Sequence, residues 1–307
     1  MRTKEEYVKS HIINAINFEI LTHEERKEVS VLYNNNKMEE AYLMAYEYSL
    51  EKLSKLFEII KKNKNKKIIF YCSRGGSRSS IVYDVFKSLK EIEIYKIGGG
   101  YKSYRKFINN YFENESKKFD FRIIHGLRGS GIDELLNKLN TLGINTINLS
   151  DEIYNEITQK QFDNILFDKL FFMKENIIYI KNEDRNFLYI PIREKFINYF
   201  DSNINIVLKT NMEFRIDSIY KKFFLGCDEY FINNVIKKIE SLRKEISNRT
   251  ADEISNDILN KNYMVAIKKL LICYFDKKDK KELMKYEPYN RVIEFNTIEE
   301  LFRKWSE

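Results

Sequence analysis

Apolar residues recur at helical spacing between Glu51 and Lys61, where Leu53, Leu56, Phe57, Ile59 and Ile60 mark one face of an amphipathic helix. Before it, the chain reads as short extended pieces and helices. The run Lys67-Ile68-Ile69-Phe70-Tyr71 follows a lysine-rich turn and suits a buried strand. Ser79 to Leu89 returns to helical spacing through Ile81, Val82, Val85, Phe86 and Leu89. Ile92 to Ile97 predicts a second strand, stopped by Gly98-Gly99-Gly100, and Tyr101 to about Tyr111 predicts another helix. The alternation then repeats: strands at 119–124, 145–149, 177–180 and 204–208, with helices at 132–142, at 159–172 and after Pro191. Such alternation implies parallel sheets with helices on both faces, an α/β fold. From Asn211 onward the pattern is largely helical with charge-rich faces. The polar stretch Asn114 to Lys118 separates the two strand–helix systems, so the expected division is 1–116, 117–225 and a helical C-terminal region at 226–307. No internal repeat is found.

Composition narrows this picture. A length of 307 residues favours more than one domain, and 43% hydrophobic against 32% charged residues is the balance of a globular protein with ample core. Only 2 prolines and 10 glycines argue against long disordered linkers. The first residues are charged, which speaks against a secretory signal, and no apolar run approaches the ~18 residues of a membrane helix. Cys72, Cys227 and Cys273 are odd in number and lack metal-ligand spacing, a pattern suited to a reducing, cytoplasmic setting. A net charge of +7 is compatible with RNA, although mixed Lys and Glu across the chain reads equally as solvated surface.

The segment Tyr71-Cys72-Ser73-Arg74-Gly75-Gly76-Ser77-Arg78-Ser79 sits where a predicted strand gives way to a helix, the place where ligands bind in parallel α/β sheets. Gly75 and Gly76 let the backbone curl so that amide N–H groups turn toward the sulfur. The helix N-terminus, Arg74 and Arg78 add positive charge, and each of these favours a thiolate. Cys72 is therefore the candidate nucleophile, with Arg74, Gly75, Gly76, Ser77 and Arg78 as its anion-holding surroundings. Cys227 and Cys273 have no comparable loop and read as core residues.

Cys72-Ser73-Arg74-Gly75-Gly76-Ser77-Arg78-Ser79 resembles the Cys-x-Arg-Gly-Gly-x-Arg-Ser loop of the rhodanese domain in tRNA 2-selenouridine synthases. Gly99-Gly100-Tyr101-Lys102-Ser103-Tyr104-Arg105 and His11-Ile12-Ile13-Asn14-Ala15-Ile16-Asn17 are similar to further segments of that family, as are Glu24-Glu25-Arg26 and Tyr33. Looser matches follow at Gln159-Lys160-Gln161-Phe162, Asn182-Glu183-Asp184-Arg185 and Ile190-Pro191. The resemblance implies a rhodanese-like domain at 1–116 lacking its usual first strand, a degenerate P-loop-type α/β domain at 117–225, and the helical region. It further implies replacement of the 2-sulfur of a wobble thiouridine in tRNA by selenium. Selenophosphate would be the donor and geranyl diphosphate a co-substrate that alkylates the sulfur, with no tightly bound cofactor. Cys72 would handle the selenium or the displaced group.

Gly126-Leu127-Arg128-Gly129-Ser130-Gly131 follows a predicted strand and opens a predicted helix, as a phosphate-binding loop does. Gly126, Arg128, Gly129, Ser130 and Gly131 are the candidate phosphate ligands. The family continues with Lys and Thr, where this chain has Ile132 and Asp133, losing a phosphate-reaching ammonium and a magnesium-binding hydroxyl. Arg128 is expected to compensate in part, since a guanidinium binds phosphate well. The family's His-Arg-Gly-Ser segment is also absent between Leu149 and Gln159. His11, His23 and His125 are dispersed and form no metal site. Tyr101, Lys102, Tyr104 and Arg105 read either as an RNA-stacking cluster or as an ordinary helix start, and Arg185 and Arg215 are placed near phosphate by the resemblance alone. Two other functions stay open: a sulfurtransferase passing a Cys72 persulfide, and a non-catalytic tRNA-binding homologue.

Overall fold

The computed structural model describes residues 1–89, 92–114, 118–148, 158–173, 175–182 and 204–307. The helix expected after Pro191, the segment before Gln159 and the motif residues Glu183 to Arg185, Ile190 and Pro191 lie outside them. The chain divides into two compact units, Met1–Lys118 with Asn155–Met173, and Phe119–Tyr154 with Lys174–Glu307.

In the first unit, α1 (Lys4–Lys9) and α2 (His23–Asn34) each start with a capping box, Thr3 with Glu6 and Thr22 with Glu25. In each, the threonine hydroxyl and the glutamate satisfy amide groups that a helix start leaves unpaired. Helix α3 (Met38–Lys62) is longer than its apolar pattern suggests, because Ala41, Ala45 and Ser49 extend the buried face toward its N-terminus. Strands β1 (Ile68–Phe70) and β2 (Ile94–Lys96) pair in parallel, Ile68 opposite Ile94, with α4 (Ser77–Phe86) between them in sequence. The core gathers Ile20, Leu21, Val29, Leu56, Ile60, Phe70, Ile81, Val82 and Phe86, with Cys72 among them. Helix α5 (Gly100–Asn114) closes the N-terminal segment of this unit.

The second unit is built on a parallel five-stranded sheet. Its strands are β3 (Asp120–Gly126), β4 (Thr146–Ile147), β5 (Ile177–Lys181), β6 (Ile204–Thr210) and β7 (Arg291–Phe295), in the order β4-β5-β3-β6-β7. Central β3 is covered on both sides, which is why Phe121, Ile123 and Ile124 are all buried and the strand reads as a continuous apolar run. Helix α6 (Ile132–Thr141) packs Leu135, Leu136 and Leu139 against this sheet.

One expectation is corrected: helix α7 (Gln159–Phe171) belongs to the first unit, although it lies in sequence between β4 and β5. The C-terminal region is largely helical, as expected, and also contributes one strand. Helices α8 (Met212–Ile219), α9 (Glu229–Ser241), α10 (Arg243–Ile246), α11 (Asn248–Leu259), α12 (Tyr263–Leu270) and α13 (Asp276–Leu283) lead to β7, and α14 (Ile298–Ser306) follows it. In β7, Ile293 and Phe295 point into the sheet core while Val292 and Glu294 face out, a period of two too short to stand out among charged helices.

Candidate functional site

The β1–α4 loop places Cys72 at its floor, 3% exposed. Gly75 has φ 71°, and a side chain there would strike the amide nitrogens of Gly99 and Gly100 at 2.7 and 2.8 Å. Reciprocally, a Cβ on Gly100 would lie 2.3 Å from the Cys72 carbonyl oxygen and 2.4 Å from the Gly75 nitrogen. The two glycine turns thus interlock backbone to backbone, which only glycine permits. Helix α5 completes the joint: the Tyr101 and Lys102 amides donate to the Cys72 and Ser73 carbonyls at 2.8 and 3.0 Å. Amides that a helix start leaves unpaired therefore fix the cysteine loop. A Cβ on Gly76 would meet nothing within 4 Å, so the loop is open on that side.

Burial alone would raise the Cys72 thiol pKa. It is outweighed by the Ser79 hydroxyl, the Arg74 amide, the Arg78 charge and the Ser79 amide, so the thiol is held below its ordinary value. The Ser79 Oγ–Cys72 Sγ distance is 3.3 Å, and Ser79 is fully buried. Arg78 is not a free cation: its Nη1 donates to Glu6 Oε2 at 2.8 Å, while the Ser73 hydroxyl donates to Glu6 Oε1 at 2.9 Å. Burial works against ionisation of Glu6, but Arg78, Ser73 and the Thr3 amide hold its carboxyl down at about 2. Arg74 is exposed, and among the described residues its guanidinium has no ion-pair partner. Ser77 begins α4 without a side-chain cap, leaving the helix start to the loop. Ser79 and Glu6 were not singled out from sequence. The first is visible only as the last residue of the motif, and the second reaches the loop from 67 residues away.

The cluster Tyr101, Lys102, Tyr104 and Arg105 turns largely inward. The buried Tyr101 hydroxyl accepts from Asn164 at 2.8 Å, and Tyr104 packs edge-on against Phe167. Arg105 pairs with Asp163 at 2.5 Å and donates to Asn164 at 2.6 Å. Gln161 and Asn164 also bind the His11 backbone, each at 2.7 Å. These residues seat α7, and of the four only Lys102 is exposed.

In the second unit, the 126–131 loop leaves the C-terminal end of central β3 and enters α6 at Gly131. Gly129 (φ 79°) and Gly131 (φ 78°) take left-handed conformations, and a Cβ on Gly129 would lie 2.5 Å from the Arg215 carbonyl oxygen. Arg215 donates to the Arg128 carbonyl at 2.8 Å and grips Asp276 with both terminal nitrogens, so it supports the loop from behind. Arg128, the expected compensating cation, lies over the Phe275 ring at 4.1 Å and pairs with Asp279 at 3.2 Å. Ile132 packs in the core and Asp133 is bound by two lysines. The side chains present therefore do not fit an ordinary magnesium–nucleotide complex. Just upstream, burial holds the His125 imidazole down at about 4, and Nε2 bonds Asn205 at 2.7 Å. Among the described residues no cluster of His, Cys, Asp or Glu could hold a metal, and no helix is long and apolar enough to cross a membrane.

A family model for the rhodanese-like domain matches residues 1–107. A tRNA 2-selenouridine synthase of Nitrosomonas eutropha is 24% identical over 74% of this chain and 62% of its own length. One of Pseudomonas putida is 27% identical over 46% of this chain and 40% of its own. The chain thus spans less than two thirds of the length of these relatives. A solved N-terminal domain from Clostridium difficile 630, of a protein named for ATP/GTP binding, is 34% identical over 35% of this chain and 84% of that domain, with a TM-score of 0.33. The chain carries a rhodanese-like domain at residues 1–107 and is similar along most of its length to tRNA 2-selenouridine synthases.

Proposed function

We propose that the chain exchanges the 2-sulfur of a wobble thiouridine in tRNA for selenium, with Cys72 as the reactive group and selenophosphate as donor. The observation that carries this reading is the acidified thiol, which receives the Ser79 hydroxyl in a loop whose Gly76 side is open. A soft anion among amide donors, beside the exposed Arg74, suits a phosphate-bearing selenium donor. The exchange breaks the carbon–sulfur bond at position 2 and forms carbon–selenium, consuming one water. Sulfur leaves as hydrosulfide and the donor's phosphorus as phosphate. Selenium keeps its oxidation level, so neither oxidant nor reductant is required. Alkylation of the sulfur by geranyl diphosphate, releasing diphosphate, would improve it as a leaving group. On that route the sulfur departs as geranylthiol in place of hydrosulfide. The relatives' printed name is consistent with tRNA as the partner.

Nucleoside mass spectrometry tests the proposal on 2-thiouridine-containing tRNA incubated with the protein and selenophosphate, with and without geranyl diphosphate. The expected result is 2-selenouridine from the native chain and none from Cys72→Ser. Unchanged nucleosides from folded protein would reject the synthase reading. Thiosulfate turnover without tRNA would instead favour a sulfurtransferase working through a Cys72 persulfide. Tight tRNA binding with no turnover would favour a binding protein.

A further inference from the structure

Glu6, in the first turn of α1, reaches the cysteine loop, and each of its carboxylate oxygens meets two donors. Oε2 accepts from Arg78 Nη1 at 2.8 Å and from the Thr3 amide at 3.1 Å. Oε1 accepts from the Ser73 hydroxyl at 2.9 Å and pairs with Arg26 Nε of α2 at 3.5 Å. One side chain thus joins α1, α2 and the loop that carries Cys72. Arg78 commits a single terminal nitrogen to Glu6; among the described residues its Nε and Nη2 make no hydrogen bond. The same guanidinium is near enough to the sulfur for its charge to favour the thiolate. Arg2, the Met1 amine, Tyr71 and Tyr101 also face this cluster.

A guanidinium held by one prong of its fork keeps its direction and its remaining donors. The carboxylate that holds it also cancels part of its charge at close range. We infer that Glu6 is a positioning residue for the Cys72 site, aiming Arg78 at an anion on the loop while withholding part of its charge. The inference rests on the reading of Cys72 as the thiol that meets a phosphate-bearing donor. Each turnover of that reaction brings a phosphate group to the loop and must release it. A guanidinium at full strength would retain the phosphate; one shared with a resident carboxylate lets it go. Burial opposes ionisation of Glu6, yet Arg78, Ser73 and Thr3 hold its carboxyl at about 2. The counter-charge is therefore present wherever the thiol titrates.

Protection of Cys72 by inorganic phosphate provides the test. The full chain is alkylated with iodoacetamide at constant ionic strength, and the peptide carrying Cys72 is followed by mass spectrometry. Glu6→Gln keeps an acceptor oxygen for Arg78 and a side chain suited to the capping box, and removes only the charge. It is expected to reach half-protection at a phosphate concentration lower by about threefold or more. Without phosphate, its alkylation midpoint should move to lower pH, since a negative charge near the thiolate is gone. In an Arg78→Met background the same substitution should lose most of the gain in protection. If Glu6→Gln loses its native circular dichroism, Glu6→Asp, which draws the charge back by one methylene, takes its place with a smaller gain of the same sign. Equal protection of the native chain and the folded variant would overturn the inference, as would an unmoved midpoint or an equal gain without Arg78. Neither tRNA nor a selenium donor is present, so such a failure leaves the synthase reading to its own experiment.

Discussion

The Ser79 hydroxyl has one proton and two acceptors within reach, the Cys72 sulfur at 3.3 Å and the Gly76 carbonyl at 3.4 Å. Ionisation of the thiol decides between them, since a hydrogen bond to a charged acceptor is roughly twice as strong as one to a neutral group. In Ser79→Ala, burial of Cys72 faces one donor fewer. The sign follows from a native thiol pKa that is lowered: removing a contributor moves it up, and less thiolate is present at neutral pH. The rate of iodoacetamide alkylation measured against pH should shift its midpoint upward and slow several-fold at neutral pH, with unchanged circular dichroism. An unmoved midpoint would assign the acidity to the Arg74 and Ser79 amides and the Arg78 charge. Cys72 and its two glycines are legible in the sequence because the loop is built from adjacent residues. The state of Arg78 is not, because Glu6, 72 residues away, neutralises part of its charge, and nothing local announces that partner.

Helix α7 shows the same limit one level up. Its period is readable and its length is nearly as expected, but Gln161, Asp163 and Asn164 are buried along with Phe162, Leu166 and Leu170. Polar residues inside blur the amphipathic signal, so the pattern cannot say which unit receives the helix. The answer lies in pairing across the chain, with Arg105 of α5 meeting Asp163 at 2.5 Å, the carboxylate side chain 3% exposed. Removing one partner of such a pair leaves an uncompensated buried charge. Arg105→Ala should therefore destabilise the first unit by about 3–5 kcal/mol, seen as a lower urea midpoint. Arg105→Met with Asp163→Asn should recover part of that loss, because no charge is then stranded. Equal midpoints for the native chain and Arg105→Ala would mean that the ion pair is replaced by water at no cost. In the second unit, β7 escaped the reading for the opposite reason: five residues with a period of two carry little signal amid long helices.

At the scale of the whole molecule, neither unit is continuous in sequence. A fragment ending at Lys118 would leave the Arg105 guanidinium, the Tyr101 hydroxyl and the His11 amide and carbonyl without the partners that α7 supplies. Thermal melting followed by circular dichroism should show residues 1–118 melting well below the same fragment joined by a flexible linker to 158–173. Identical melting curves would show that α7 is dispensable to the first unit. The α/β class and most elements are legible because they depend on local periodicity. Membership of a unit depends on side chains that meet only after folding.

The placement of α7 also sets a clock. During synthesis, the cysteine loop, β2 and α5 are all made before Phe119–Tyr154, yet their unit is finished only when Met173 has been added. At about 5–20 residues per second, that interruption lasts on the order of several seconds. Through that interval α5, whose first amides cap the Cys72 and Ser73 carbonyls, has yet to meet α7. A nascent chain that stalls or is cleaved there carries the complete thiol motif on a support that has yet to be assembled.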